Sequence, residues 1–284
     1  MSAVQQALRT RYLDLLKASL RNAFYRERPG DPSAEDLERA RESLRRAREK
    51  VGPHLGQHSE LQALLAAMDP RQWFLTARRN DPPALTMAGA DALDNVQYCV
   101  EAALALEVPG DLLEAGVWRG GLTILMRGLL AAHDVRDRKV WVADSFEGLP
   151  EVDPEVDPED ALAHELLATV GGLSVSADDV RAAFASHDLL DDQVGFLEGW
   201  FSETLPGPVE SLAVLRLDGD YYGSTRDVLE ALYPKLSPGG FLIIDDYGLP
   251  VGCRRAVDEY RAAHGIEAPM TMINERIACW QREL

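Results

Sequence analysis

The chain is poor in the features that would place it outside a reduced, aqueous compartment. It has three cysteines in 284 residues (Cys99, Cys253, Cys279), none in a CxxC pair. That excludes a disulfide scaffold and fits buried, inert thiols. Long apolar runs are missing: no segment approaches the roughly 18 apolar residues of a membrane span, and the amino terminus interleaves charge with leucine, unlike a signal peptide. Basic charge is scarce too. With 29 Lys+Arg against 47 Asp+Glu and a net charge of -18, neither nucleic acid nor an anionic membrane is expected as a partner, since both require a basic surface. A soluble, cytoplasmic protein is expected. The dinucleotide fingerprint G-x-G-x-x-G is also absent, which argues against a nicotinamide dehydrogenase.

What is present is enough apolar residue, 46%, for one large domain or a domain with an appendage. Met1 to Ala23 reads as an amphipathic helix with Leu8, Tyr12, Leu15, Leu16 and Leu20 on one face, ending near Arg28-Pro29-Gly30-Asp31-Pro32. Ser33 and Asp36 form a capping box ahead of Leu37, Ala40, Leu44, Ala47 and Val51 at helical spacing. His54 and His58 are four apart, but Pro53 and Gly56 break the helix that would pair them on a metal. Short helices carrying Trp73 and Phe74 follow, closed by Asp81-Pro82-Pro83. Residues 1–83 are therefore expected to be a helical lid or oligomerisation segment, and 84–284 an α/β domain.

In that second part, helical and strand patterns alternate. Asp91–Leu106 is helical. Leu112–Val117 is a strand running into Trp118-Arg119-Gly120-Gly121 and a helix from Leu122. Lys139–Ala143 is a strand ending in Asp144-Ser145, and Ser176 caps a helix to Ala185. Asp192–Leu197 is a third strand, ending in Glu198-Gly199-Trp200-Phe201. The acidic stretch Glu151–Asp160 reads as solvated loop. Two further apolar runs end abruptly in carboxylates: Leu215-Arg216-Leu217-Asp218-Gly219-Asp220 and Phe241-Leu242-Ile243-Ile244-Asp245-Asp246. The helix between them, Ser224–Leu236, is expected to stop at Ser237-Pro238-Gly239-Gly240. After a helix from Gly252 to His264, Met270–Ile273 and Ile277–Trp280 close the chain as short strands. The expected fold is α/β, a doubly wound, mostly parallel, seven-stranded Rossmann-like sheet with an antiparallel edge.

Right-handed crossovers bring Asp218, Asp220, Asp245 and Asp246 to one carboxyl edge, where ligands bind in open α/β folds. Carboxylates converging there repel one another unless a hard cation such as Mg²⁺ sits among them. The glycine turn after the first strand lets a ligand approach the backbone, although a packing role is equally open. Asp144 at the second strand tip is placed to accept hydrogen bonds from the ribose of a nucleoside. Trp200 beside Gly199 either flanks an adenine or packs in the core.

These motifs together resemble the macrocin O-methyltransferase family: Leu113-Glu-Ala-Gly-Val-Trp-Arg-Gly-Gly121, Val142-Ala-Asp-Ser-Phe-Glu-Gly-Leu-Pro150, Arg216-Leu-Asp-Gly-Asp220 and Gly240-Phe-Leu-Ile-Ile-Asp-Asp246. Weaker echoes lie at Leu85-Thr-Met87, Gly199-Trp-Phe201 and Cys253–Val257. The resemblance spans about residues 84–284. It implies a class I methyltransferase domain using S-adenosylmethionine (SAM) and Mg²⁺ on a sugar hydroxyl of a macrolide, aminocoumarin or similar glycoside. Separately, a homo-oligomer, a dimer or larger ring built on the amino-terminal helices, is expected. The resemblance further implies Asp218, Asp245 and Asp246 as metal ligands and Asp220 as the base. The cofactor would be held by Thr86, Met87, Glu114, Gly116, Gly120, Thr123, Asp144, Ser145, Gly148, Gly199, Trp200 and Asp218. Two features depart from the family's pattern: a long segment from Asp31 to Arg79, and Asn274-Glu275 where an aspartate-containing turn is expected. A catechol-type methyltransferase acting on an aromatic diol, and a non-catalytic SAM-binding protein, are the alternatives.

Overall fold

The computed structural model describes residues 2–23, 33–56, 59–70, 84–167, 173–249 and 252–283. The expected break at Arg28–Pro32, His58, the Trp73-Phe74 helix and the Asp81-Pro82-Pro83 stop lie outside those residues. Seven strands form one sheet: β1 (Asp111–Ala115), β2 (Val140–Asp144), β3 (Val194–Glu198), β4 (Leu212–Leu217), β5 (Leu236–Ile244), β6 (Thr271–Met272) and β7 (Ala278–Gln281). Their order is β3-β2-β1-β4-β5-β7-β6, with β1 to β5 parallel and the β6–β7 hairpin antiparallel. The strand order reverses between β1 and β4, which opens a crevice at their carboxyl ends.

The helices are α1 (Ala3–Leu20), α2 (Ala34–Lys50), α3 (Ser59–Ala67), α4 (Ala90–Ala105), α5 (Gly121–Ala132), α6 (Pro158–Leu167), α7 (Ala177–Ser186), α8 (Phe201–Thr204), α9 (Tyr222–Leu232) and α10 (Cys253–His264). Strand alternation sorts them into two layers. Leu112, Val142, Val214 and Ile243 face one core with α4, α5 and α7. Leu113, Leu215, Leu217, Leu242 and Ile244 face the other with α9 and α10. Both faces of the central strands are covered, which explains their near-continuous apolar sequence. All three cysteines are buried free thiols.

Three expectations are corrected. On α1 the buried stripe is Leu13, Leu16 and Leu20, while Leu8 and Leu15 are each 60% exposed. Two adjacent apolar lines run along this helix, and α5 and α4 cover only one of them. Ser237-Pro238-Gly239-Gly240 does not separate helix from strand. The helix ends at Leu232, and these four residues form a bulge inside β5, with Leu212 opposite Leu236 and Val214 opposite Phe241. Gly239 adopts φ +80, which glycine takes without strain. The acidic stretch is not simply solvated loop: its end begins α6, and Asp160 is only 1% exposed. In the amino-terminal part, none of the described residues before Ala84 lines the crevice at the carboxyl ends of the strands. Here α1 joins the main core, and α2 packs with α6 in a small cluster of Leu44, Ala47, Val51, Leu55, Leu65, Ala161 and Leu162. The capping box of Ser33 and Asp36 is present, as is the Ser176 cap on α7. His54 stands in a short 3-10 turn.

Candidate active site

The carboxyl edge of the sheet is knitted by backbone hydrogen bonds that run past the strand ends. Gly116 N–H donates to the Ala143 carbonyl (2.8 Å), Asp218 N–H to Ala115 (2.8 Å), Asp245 N–H to Leu217 (2.9 Å) and Gly199 N–H to Asp144 (3.0 Å). Five strand tips, those of β1 to β5, are thereby fixed relative to one another before any side chain acts. At Gly116 the contact is closest: φ is +85, and a Cβ there would lie 1.8 Å from the Asp218 carbonyl oxygen. Only glycine fits between the β1 and β4 tips.

A cavity of about 430 Å³ opens at this edge, within the range of small-molecule sites. Of the cofactor residues expected from the sequence, Met87, Gly116, Asp144, Ser145, Gly148, Trp200 and Asp218 line it, with Trp118 beside them. Asp144 is held rigidly. Its Oδ2 accepts from the backbone N–H of Val117 (2.8 Å) and Trp118 (3.2 Å), and its Oδ1 from Phe146 (2.8 Å). The carboxylate thus ties the glycine turn to the β2 tip while bordering the cavity. Trp118 (φ 49), Phe146 (φ 58) and Asp220 (φ 55), each just past a strand end, have positive φ. Such backbone is costly for residues other than glycine and is concentrated at functional sites.

Thr86, Glu114, Gly120, Thr123 and Gly199 stand behind the wall instead of in it. Thr86 Oγ1 accepts from Ala88 N–H (3.0 Å), and Thr123 Oγ1 donates to the Gly120 carbonyl (2.8 Å). Gly120 caps α5 at φ 80, where a Cβ would meet Val180 at 2.7 Å. Gly120 and Thr123 shape the turn between β1 and α5.

The acidic half of the site is built by strand parity. Glu114 on β1 pairs in register with Arg216 on β4, and both point to the same face as Asp218 and Asp245. Arg216, 2% exposed, donates to Glu114 Oε1 (2.5 Å), to Asp218 Oδ2 (2.9 Å) and to Asp245 Oδ1. Arg276, in the β6–β7 turn, donates through Nη2 to Asp245 Oδ2 and Asp246 Oδ1, both at 2.9 Å. Burial pulls the Arg216 guanidinium down, but the charges of Asp245, Asp218 and Glu114 outweigh it and hold it well above its ordinary value. Burial, aided by the neighbouring carboxylates, raises Asp218 and Asp246 and pushes Asp220 up to about 8. It also drives Glu114 to about 8 against the pull of Arg216.

Among the described residues, one group of carboxylates has the reach of a metal site: oxygens of Asp218, Asp220 and Asp246 all lie within 4.8 Å of one another. Asp246 is 1% exposed, and its Oδ2 has no hydrogen-bond partner in the protein. A buried oxygen without a donor, in a group of hard oxygen ligands with raised pKa, is what a divalent cation satisfies. The residues fit Mg²⁺. Asp245, expected in the metal set, is instead engaged by the two guanidinium groups, while Asp220, expected as the base, lies inside the group.

Three residues that sequence reading did not single out matter here. For Arg216 the local signal is a lone arginine in a buried strand, level with a buried glutamate. Asp160 accepts from the backbone N–H of Tyr222 (2.7 Å) and Gly252 (2.6 Å) and lines the cavity. Burial raises it to about 6. Neither Asp160 nor Arg276 carries a local signal, because their partners are far away in the chain.

The family described as Macrocin-O-methyltransferase (TylF) matches residues 9–282. The chain belongs to the macrocin O-methyltransferase family. The match is wider than the span read from the motifs and takes in the amino-terminal helices. The chain is 46% identical over 281 residues, 95% of its length and 92% of the relative's, to the 8-demethyl-8-(2,3-dimethoxy-alpha-L-rhamnosyl)-tetracenomycin-C 4'-O-methyltransferase of Streptomyces olivaceus. It is 54% identical over 202 residues, 70% of its length and 79% of the relative's, to the Mycinamicin III 3''-O-methyltransferase of Micromonospora griseorubida. Among solved structures, that of the O-methyltransferase NovP superposes with a TM-score of 0.76 at 41% identity, covering 97% of this chain and all of NovP (100%). This macrocin-family member is accordingly an O-methyltransferase that uses SAM. No helix among the described residues is long and apolar enough to cross a membrane.

Proposed function

We propose that this methyltransferase transfers the methyl group of SAM to a sugar hydroxyl of a glycosylated natural product, with Mg²⁺ held by aspartates at the tips of β4 and β5. The observation that carries the reading is the group Asp218, Asp220 and Asp246, two of which, Asp218 and Asp220, line the same crevice as Gly116 and Asp144. The names of the relatives, which act on rhamnosyl-tetracenomycin and mycinamicin, support the acceptor class.

Charge supports it further. The described residues lining the cavity include Asp144, Glu151, Asp153, Asp157, Asp160, Asp218, Asp220 and Asp227, and no Lys, Arg or His. Such a wall attracts a sulfonium and a divalent ion and repels the diphosphate of a nucleotide sugar. The favoured acceptor is therefore a sugar already joined to its aglycone.

In this reading SAM supplies an electrophilic methyl group, and Mg²⁺ supplies positive charge that makes a nearby hydroxyl more acidic. Asp218 and Asp246 are assigned to the metal. The third place is assigned to Asp245 once its guanidinium contacts loosen, which leaves Asp220 to accept the proton that the acceptor hydroxyl gives up. Burial raises Asp220 above an ordinary carboxylate, which strengthens it as a base. Asp144 and the turn it pins orient the nucleoside, and Trp118 and Trp200 border the same space. Holding acceptor and methyl group in place supplies much of the acceleration, on the order of 7–11 kcal/mol for well-oriented reactants.

The test is methyl transfer from labelled SAM to a panel of deoxysugar glycosides, with Mg²⁺ or with EDTA. Transfer to a glycoside that stops with EDTA is expected, together with loss of turnover in Asp218→Asn and Asp246→Asn at SAM affinity within a few-fold of wild type. Transfer unaffected by EDTA ends the metal assignment. Preference for catechols or nucleotide sugars ends the acceptor assignment.

A further inference from the structure

Five carboxylates meet at the β1, β4 and β5 tips (Glu114, Asp218, Asp220, Asp245, Asp246), against two cations, Arg216 and Arg276. The two arginines differ in one respect. Arg216 is sealed, with a side chain 2% exposed, whereas Arg276 is 46% exposed and reaches inward from the surface. Its Nη2 bridges Asp245 Oδ2 and Asp246 Oδ1 at 2.9 Å each, spanning two adjacent residues beside the unpartnered Asp246 Oδ2.

The turn that carries Arg276 is fixed in place. Asn274 Oδ1 accepts from the backbone N–H of Arg276 and Ile277, both at 2.8 Å, and its Nδ2 donates to Asp91 Oδ2 at the start of α4 (2.6 Å). On the other side Gly248 N–H donates to the Arg276 carbonyl (2.8 Å), and a Cβ on Gly248 would lie 1.7 Å from the Glu275 carbonyl oxygen. The backbone of the turn is therefore held while the guanidinium, on a long side chain open to solvent, is free to leave.

We propose that Arg276 is a built-in counter-cation: it holds Asp245 and Asp246 together when no divalent ion is bound, competes with the ion for their oxygens, and so sets how much Mg²⁺ the enzyme requires. This rests on the metal reading above. A guanidinium and Mg²⁺ satisfy the same carboxylates, and two cations within a few ångströms repel each other, so occupancy by one disfavours the other.

Calorimetric titration of Mg²⁺ into protein lacking SAM and acceptor tests it without reference to turnover. Arg276→Gln is expected to bind Mg²⁺ on the order of tenfold more tightly than wild type, to melt at a lower temperature in EDTA, and to gain more from added Mg²⁺. Arg276→Lys, which keeps the charge but not the bridging fork, is expected to fall between the two. In wild type, the Arg276 Nε–H resonance should move on Mg²⁺ addition toward the position of a solvent-exposed arginine, a readout that survives if Arg276→Gln fails to fold. If wild type binds Mg²⁺ and both variants bind it with unchanged or weaker affinity, or the resonance does not move, the role assigned to Arg276 is wrong while the metal reading stands. If wild type takes up no divalent ion, both fall together.

Discussion

Glu114 and Arg216 sit opposite each other on β1 and β4, 2.5 Å apart, with side chains 3% and 2% exposed. A buried pair of this kind adds little net stability, yet losing one member is expensive, because the other is left charged or must change protonation. Here the arginine also serves Asp218 and Asp245. Arg216→Met is expected to destabilise by about 3–5 kcal/mol, read as a shift in the urea midpoint. Adding Glu114→Gln should recover part of that loss. If the single variant unfolds at the wild-type midpoint, the pair does not organise the strand tips.

Gly116 should be intolerant of any side chain. Gly116→Ala places a Cβ 1.8 Å from the Asp218 carbonyl at φ +85, so the β1 and β4 tips must separate. Backbone strain alone costs about 1–3 kcal/mol. The expected result is lower stability together with weaker SAM binding in calorimetry, since the turn that Asp144 pins moves with it. An alanine variant with native SAM affinity would contradict the placement of the cofactor on this turn.

Asp160 joins α6 to the amino-terminal ends of α9 and α10 by accepting from Tyr222 and Gly252. Asp160→Ala strands both donors in a buried setting and is expected to cost about 1–3 kcal/mol for each. Because Asp153, Asp157 and Asp160 border the same cavity, the Michaelis constant for the glycoside should rise more than that for SAM. Steady-state kinetics with each substrate varied separately would show this.

Asp220 makes a prediction about pH. Burial first, then the charges of Asp218 and Asp245, raise it to about 8 from an ordinary value near ~4. The folded, metal-free protein therefore binds more protons than the unfolded chain between those values. The sign follows: no penalty applies below about pH 4, and stability falls as pH rises through about 8. Urea midpoints in EDTA should decline between about pH 5 and about pH 9, and the decline should flatten in Asp220→Asn. Saturating Mg²⁺ should reduce it as well, by favouring the ionised carboxylates. A slope that is the same in Asp220→Asn would mean that Asp220 ionises near its ordinary value.

The sequence alone determined the layered α/β fold, the order of strands and helices, and the clustering of Asp218, Asp220 and Asp246, because these follow from local patterns. Apolar runs closed by carboxylates mark buried parallel strands, and the handedness of crossovers sends their ends to one edge. The glycine at 116 and the acid at 144 were legible for the same reason. Tertiary structure alone decided the rest. The partners of Arg276 lie about 30 residues away and those of Asp160 up to 92, so no periodicity announces either one. Only packing chose which apolar line of α1 is buried, since both lines are equally helical and α5 covers one of them. Asp245 shows the division most sharply: its position at a strand tip is written in the chain, but its engagement by two arginines depends on a register and a hairpin that exist only in three dimensions.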